Sequence, residues 1–318
     1  VEDLVSDPLL IVLVGPTGSG KTALSLALAQ QLGGEIVSCD SVSIYREMEI
    51  GTAKPTQAER NLVPHHMLDV ASPAEIYTAG DYSRDARKVL SEIVARNSVP
   101  IVAGGTGLYL RALLEGLSPV PARDEALRDR LRESAARHGT TYLHRLLTRL
   151  DAQAAARIHT NDIPKLIRAL EVSLLERRPM SARWSEQPPQ PLTGYRVVQI
   201  GLNPPREALY VHLNKRAAQM FSDGLMEETQ QLVERYGHDC RALTALGYAQ
   251  ALAELDGAIS REEAVAAAQQ GHRNYAKRQL TWFRKDASIH WMEDFGNDVV
   301  ERALAIFTLP PNLLREVG

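Results

Sequence analysis

Two patterns of apolar and polar residues follow one another along this chain. In the first 110 residues, short apolar runs ending in glycine or polar residues alternate with helical stretches. Leu9 to Val14 read as a fully buried strand, and Leu24, Leu28 and Leu32 recur at i, i+4, i+8, the spacing of one helix face. Glu35 to Cys39 predict a second short strand, about Ala79 to Arg96 a helix, and Ile101 to Ala103 a further strand in VPIVAGGTG. Repeated β-α units of this kind predict a parallel sheet. Beyond Leu117 only helical segments follow: DEALRDRLRESAARHG, TYLHRLLTRL, DAQAAARIH and DIPKLIRALEVSLLERR. Gly116 to Pro121 open this region and SEQPPQPLTG closes it, as expected for an insertion. Tyr195 to Leu202 then return to the sheet, and amphipathic helices start near Arg206 and Arg261. The pattern predicts a discontinuous core domain, residues 1–116 and 190–318, with an inserted helical domain, residues 117–189. No repeat of 20 to 50 residues is present.

Composition adds one asymmetry. The 318 residues, 44% hydrophobic and 24% charged, suffice for a large core and about two domains. The net charge of −3 conceals a basic segment. Arg111 to Arg183 hold 14 basic against 9 acidic side chains, and the remainder holds 22 against 30. Cys39 and Cys240 form no metal or redox spacing and read as two buried thiols. The acidic N-terminal stretch and an apolar run of six residues predict neither a signal segment nor a membrane span, so a cytoplasmic protein is expected.

The first turn carries the clearest chemistry. Gly15-Pro16-Thr17-Gly18-Ser19-Gly20-Lys21-Thr22 fits G-x-x-x-x-G-K-[ST] between a strand and a helix. This is a P-loop, the phosphate cradle of ATP- and other nucleotide-binding proteins. Backbone N–H groups curl around an anion, Lys21 reaches its outer phosphate, the Thr22 hydroxyl holds Mg²⁺, and the helix dipole adds positive potential. The fold class expected is α/β, a P-loop NTPase-like parallel sheet flanked by helices with an inserted all-helical domain.

Other polar residues gather where strands end, the edge at which open parallel sheets bind ligands. Asp40, in SCDSVSIYREMEIGTAKP, has three open roles: Mg²⁺ ligand, proton acceptor for a nucleophile, or cap of a turn. Thr106, in GGTG, sits between glycines that permit close approach of a ligand. Adjacent His65 and His66 point to opposite faces of a strand and favour a structural role over a metal site. Arg123, Arg128, Arg130, Arg132 and Arg137 alternate with acids, as on any solvated helix. GHRNYAKRQLTWFRK carries Arg273, Lys277, Arg278, Arg284 and Lys285 without an acid. Arg273, Lys277 and Arg284 fall near one helical face, with Leu280 and Phe283 free to face the core. That stripe is the better candidate for a backbone of phosphates.

GPTGSGKT, SCDSVSIYREMEIGTAKP, VPHHMLDV, IVAGGTGLYLRALLEGLSP, HTNDIPKLIRALEV, ALGYAQAL and NYAKRQLTWFRK, in this order, resemble the tRNA dimethylallyltransferase (isopentenyltransferase) family over nearly the whole chain. The bacterial form, without the zinc-finger extension of eukaryotic relatives, is implied. The resemblance implies transfer of a dimethylallyl group from dimethylallyl diphosphate to N6 of an adenine beside the anticodon of tRNA, position 37, with the adenine flipped into the protein. It implies Asp40, Thr106 and Lys21 in catalysis, and diphosphate held by Gly15, Thr17, Gly18, Ser19, Gly20, Lys21, Thr22 and Arg216. It also implies tRNA contacts at Asp40, Ser41, Val42, Ser43, Thr106, Arg128, Lys165, Arg168, Gly247, Tyr248, Arg273, Lys277, Arg278 and Gln279. Mg²⁺ on Thr22 is the cofactor, the anticodon stem-loop the macromolecular partner, the insertion closes over that arm, and a monomer is expected. Gly18, Ser43 and Gln250 depart from residues frequent in the family, which touches tRNA preference rather than chemistry. Two other classes use the same cradle: an ATP-dependent small-molecule kinase and a non-catalytic nucleotide switch.

Overall fold

The protein, described by a computed structural model over residues 7–308, forms two compact units. One joins the residues up to Leu113 to those from Leu192 onward, and the other is Leu114–Pro191. The acidic residues 1–6 lie outside the described range.

The first unit is built on a six-stranded parallel sheet: β1 Leu9–Val14, β2 Gly34–Cys39, β3 His65–His66, β4 Val99–Gly104, β5 Arg196–Leu202 and β6 Ile289–Met292. Their order is β3-β2-β4-β1-β5-β6. Leu10 to Val14 are buried throughout, because helices cover both faces of a parallel sheet. The helices are α1 Lys21–Leu32, α2 Gln57–Leu62, α3 Ala79–Ala95 and α4 Gly107–Leu114, with further helices after the second unit.

The second unit contains α5 Glu125–His138, α6 Thr140–Leu150, α7 Ala152–Arg157, α8 Ile163–Glu176 and α9 Ala182–Glu186. Leu131, Leu143, Leu147, Leu166 and Leu170 form its core. The last of these helices, only five residues long, was not predicted. Back in the first unit come α10 Arg206–Ser222, α11 Leu225–Tyr236, α12 Tyr248–Leu255, α13 Arg261–Phe283 and α14 Val300–Thr308. The sequence pattern anticipated α10 and α13 but not β6, whose four residues are too few to show a period. A capping box between Ser260 and Glu263 starts α13. Its buried face, Ala264, Ala268, His272, Ala276, Gln279 and Phe283, uses small residues where α10 packs along it.

Buried charge organises the second unit. Glu171 is fully enclosed and accepts from the Asp124 amide (2.8 Å), Arg128 Nη1 (3.1 Å) and Arg168 Nη1 (2.6 Å). Burial pushes its carboxyl up, but the Arg168 and Asp124 hydrogen bonds and the arginine charges outweigh burial and hold it below the ordinary value. Glu171→Ala leaves the Arg168 guanidinium without its counterion and Arg128 with only the longer contact to Glu125 (3.7 Å), and is expected to cost about 3 kcal/mol. Native-state hydrogen exchange of the α8 amides checks this, and unchanged protection would remove Glu171 as the anchor of the unit.

Candidate active site

Strand register brings the polar turns together. β2 and β4 are neighbours paired so that Cys39 faces Gly104, and the residues that follow leave the sheet side by side. The Thr106 amide donates to the Cys39 carbonyl (3.2 Å), and Thr106 Oγ1 accepts from the Ser41 amide (3.0 Å). A side chain at position 104 would put its Cβ 2.1 Å from the Cys39 carbonyl oxygen, so only glycine lets the two turns touch. Asp40 Oδ1 accepts from the amides of Val42 (2.8 Å) and Ser43 (3.2 Å). Of the three roles left open by sequence, turn capping is thus present at Oδ1. Burial, then the Asp40 charge, pushes the neighbouring Cys39 thiol up to about 12, which keeps it neutral. Cys240, expected to be buried, is only half-buried.

The P-loop follows β1, the neighbour of β4. Gly20 takes a left-handed conformation (φ 87°) and starts α1 with no side-chain cap, leaving the helix N-terminus to a ligand. Lys21 is half-buried and folds back onto its own loop. Its Nζ donates to the carbonyls of Gly15 (2.9 Å) and Pro16 (2.7 Å). Burial pulls its pKa down to about 7 against the attraction of Asp40, with Arg216 adding repulsion. Arg216, on α10, donates to Thr17 Oγ1 (3.3 Å), and burial lowers its pKa as well. Its Nε is buried without a partner among the described residues. Gln279 ties the assembly together: Oε1 accepts from the Thr17 amide (2.8 Å) and Nε2 donates to the Gly105 carbonyl (3.0 Å).

Two cavities meet at these residues. One of about 320 Å³ is lined by Thr17, Gly18, Gly20, Lys21, Thr22, Asp40, Lys54, His212 and Arg216. The other, about 440 Å³, is lined by Thr17, Asp40, Ser41, Val42, Arg216, Gln250, His272, Tyr275 and Arg278. Thr17, Asp40, Thr52 and Arg216 belong to both walls. Tyr275 was not singled out from sequence, although it stands in NYAKRQLTWFRK. Burial, then the Asp40 charge, pushes its phenol up to about 12 against a hydrogen bond with Thr106. The Lys54 ammonium, also missed, is buried and held by Tyr45 O (2.7 Å), Glu49 (2.9 Å) and Asp69 (2.6 Å). His65 Nδ1 contacts the Val63 carbonyl and His66 Nε2 contacts Glu35, which are structural roles.

Several expected RNA contacts are engaged inside the protein instead. Tyr248 is fully buried with its hydroxyl on Glu228 (2.5 Å), and Gln279 is 5% exposed between the P-loop and the Gly105 turn. Ser43 is buried, its hydroxyl beside that of Ser38. Arg128 and Arg168 both pair with the buried Glu171. Lys165 is exposed and paired with Asp162, while Gly247 precedes α12 and donates to Gln250 Oε1 (2.8 Å). The basic stripe of α13 divides. Arg273 bonds Asn214 and Gln270, Arg278 lies against Tyr275 at the second cavity, and Lys277 and Arg284 line a separate groove. Leu280, expected to face the core, lines that groove too, whereas Phe283 is buried.

A family model described as IPP transferase matches residues 43–286. The chain belongs to this family. It is 59% identical over 95% of its length to a tRNA dimethylallyltransferase of Koribacter versatilis, covering 99% of that protein. It is 48% identical over 91% of its length to one of Solibacter usitatus, covering 94%. Among solved structures, it resembles the tRNA isopentenylpyrophosphate transferase of Bacillus halodurans (TM-score 0.69, 38% identity, 94% of this chain and 96% of that one). It also resembles a eukaryotic dimethylallyltransferase described as acting on tRNA (TM-score 0.78, 25% identity, 95% of this chain and 79% of that one). The P-loop of this IPP transferase family member precedes the matched residues, and Asp40 lies just outside them.

Proposed function

We infer that this protein transfers a dimethylallyl group from dimethylallyl diphosphate to N6 of an adenine beside the anticodon of tRNA, with release of diphosphate. The observation that carries the reading is the wall shared by the two cavities, on which Asp40 and Arg216 stand. The cavity with the P-loop suits a diphosphate, and the one with Tyr275 and Arg278 suits a base and its flanking phosphate. A carbon held at the shared wall meets the exocyclic amine from one side and loses its leaving group to the other. The new N–C bond forms as the C–O bond breaks. The C–O electron pair leaves on the diphosphate oxygen, and the amine proton passes to the Asp40 carboxylate. Arg216, the P-loop amides and Lys21 stabilise the departing charge.

Magnesium fits this donor set. Thr22 and Asp40 present hard oxygen atoms to the same cavity, and no group of three or more His, Cys, Asp or Glu able to hold a metal occurs among the described residues. Such an ion would rest on the Thr22 hydroxyl. It would supply neutralising charge to the leaving group. A tRNA substrate also fits work in the cytoplasm, and no helix among the described residues is long and apolar enough to cross a membrane.

The kinase alternative lost ground with the relatives, which are named as tRNA prenyltransferases. Thermal unfolding with Mg²⁺ plus dimethylallyl diphosphate against Mg²⁺ plus ATP, paired with transfer of a labelled prenyl group to tRNA, tests the reading. Dimethylallyl diphosphate is expected to raise the midpoint, by about 2.7 kcal/mol of stabilisation at a hundredfold excess over Kd. Label must then appear in tRNA. Phosphate transfer from ATP to a small molecule, without prenyl transfer, would overturn it.

A further inference from the structure

We propose that a groove on the other flank of α13 holds a phosphate and the adjoining base of the RNA substrate, outside the cavity that takes the acceptor adenine. This rests on the reading that the substrate is RNA. The groove, about 450 Å³, is walled by the turn after β5, the first turns of α10 and the C-terminal half of α13. Its chemistry is that of a nucleotide site. Arg206, Lys277 and Arg284 line it, and among the described residues none of the three has a carboxylate within ion-pair distance. Several other arginines are neutralised by a carboxylate, as at Arg60, Arg96, Arg183 and Arg235. Arg284 donates to Asn203 Oδ1 (3.1 Å), which holds its guanidinium at the rim.

Tyr210 supplies an aromatic face, with the Arg206 guanidinium 5.1 Å from its ring centre. Helix α10 starts at Pro205 without a side-chain cap, which adds its positive end to the same place. Glu293 also borders the groove and is the one acid there, so the balance remains positive. An aromatic face beside open cations is the arrangement that binds single-stranded nucleic acid without reading its sequence. Placement favours the same RNA that enters the acceptor cavity. Successive residues of α13 serve the two sites, Tyr275 and Arg278 on one side, Lys277 and Arg284 on the other. A strand leaving the acceptor cavity therefore reaches the groove across one helix, a width of about 10–12 Å.

Arg206→Glu and Tyr210→Ala test the site. Arg206 is exposed in the first turn of α10, where an acid suits the helix dipole, so this variant is expected to fold normally. Tyr210 packs partly on Leu209 and Leu213, so Tyr210→Phe serves as the folding and stacking control. The probe is an RNA hairpin carrying the acceptor adenine in its loop, titrated by fluorescence anisotropy over a salt series. Both Arg206→Glu and Tyr210→Ala are expected to weaken binding about tenfold, and Arg206→Glu to lower the salt slope by about one unit. Tyr210→Phe should restore hairpin affinity, and dimethylallyl diphosphate affinity should not change. Full hairpin affinity in both variants would overturn the proposal, as would a loss confined to free ATP. If wild-type protein binds the hairpin through this groove but transfers no prenyl group, the transferase reading fails while the groove stands. Normal transfer together with unaltered hairpin affinity in the variants sinks the groove alone.

Discussion

Asp40→Asn is expected to slow prenyl transfer by about 10²–10⁴-fold, the contribution of a positioned general base. The exocyclic amine of adenine is a weak nucleophile because its lone pair is drawn into the ring, and a carboxylate on its hydrogen strengthens it as the N–C bond forms. That help is given mainly in the transition state, so the loss should fall on the chemical step. The substitution is conservative for the fold. Asp40 Oδ1 caps the turn through the Val42 and Ser43 amides, and the asparagine carbonyl can accept the same two hydrogen bonds. Dimethylallyl diphosphate affinity should change little if its phosphates occupy the P-loop as proposed. Single-turnover transfer and diphosphate affinity measured over a Mg²⁺ series decide the matter. A rate restored by added Mg²⁺ would make Asp40 a metal ligand, and an unaltered rate would leave it only the turn.

Lys21→Ala is expected to cost roughly 2.7–4 kcal/mol at the transition state, about 10²–10³ in rate, as the loss of one donor to developing charge. The ammonium donates to the Gly15 and Pro16 carbonyls, at the mouth of the P-loop. Its acidity gives a second readout. Burial lowers the pKa from 10.5 to about 7, and the lysine of the free protein loses its charge near neutrality. Diphosphate binding favours the charged form, so affinity should fall as pH rises through about 7, and Lys21→Ala should lose that dependence. Stability runs the other way. Between about 7 and 10.5 the unfolded chain holds this proton and the folded protein does not, so the lysine's destabilising effect, full below pH 7, is relieved as pH rises. Isothermal titration and urea unfolding across this range check both slopes, and a variant with normal turnover would remove Lys21 from the diphosphate cradle.

Features that depend on neighbouring residues are legible along the chain. Leu9 to Val14, the glycines and Lys21 of the P-loop and the leucine spacing of α1 encode a strand, an anion cradle and a helix within 24 residues, because each follows from local backbone geometry. The two-residue β3, the four-residue β6 and the five-residue α9 carry no period and owe their form to what they pack against. Charge patterning misled for a related reason. Arg128 reads as solvated from its alternation with acids although it pairs with the buried Glu171, and the even-looking stripe of α13 separates into two flanks once α10 is in place. The meeting of Asp40, Thr106, Gln279 and Arg216 comes from the fold. Strand register sets Cys39 beside Gly104, and a single glutamine spans the P-loop and the Gly105 turn. Contacts between residues as far apart as Thr17 and Gln279 leave no local trace, since they are fixed by the sheet order and by packing that closes over the whole chain.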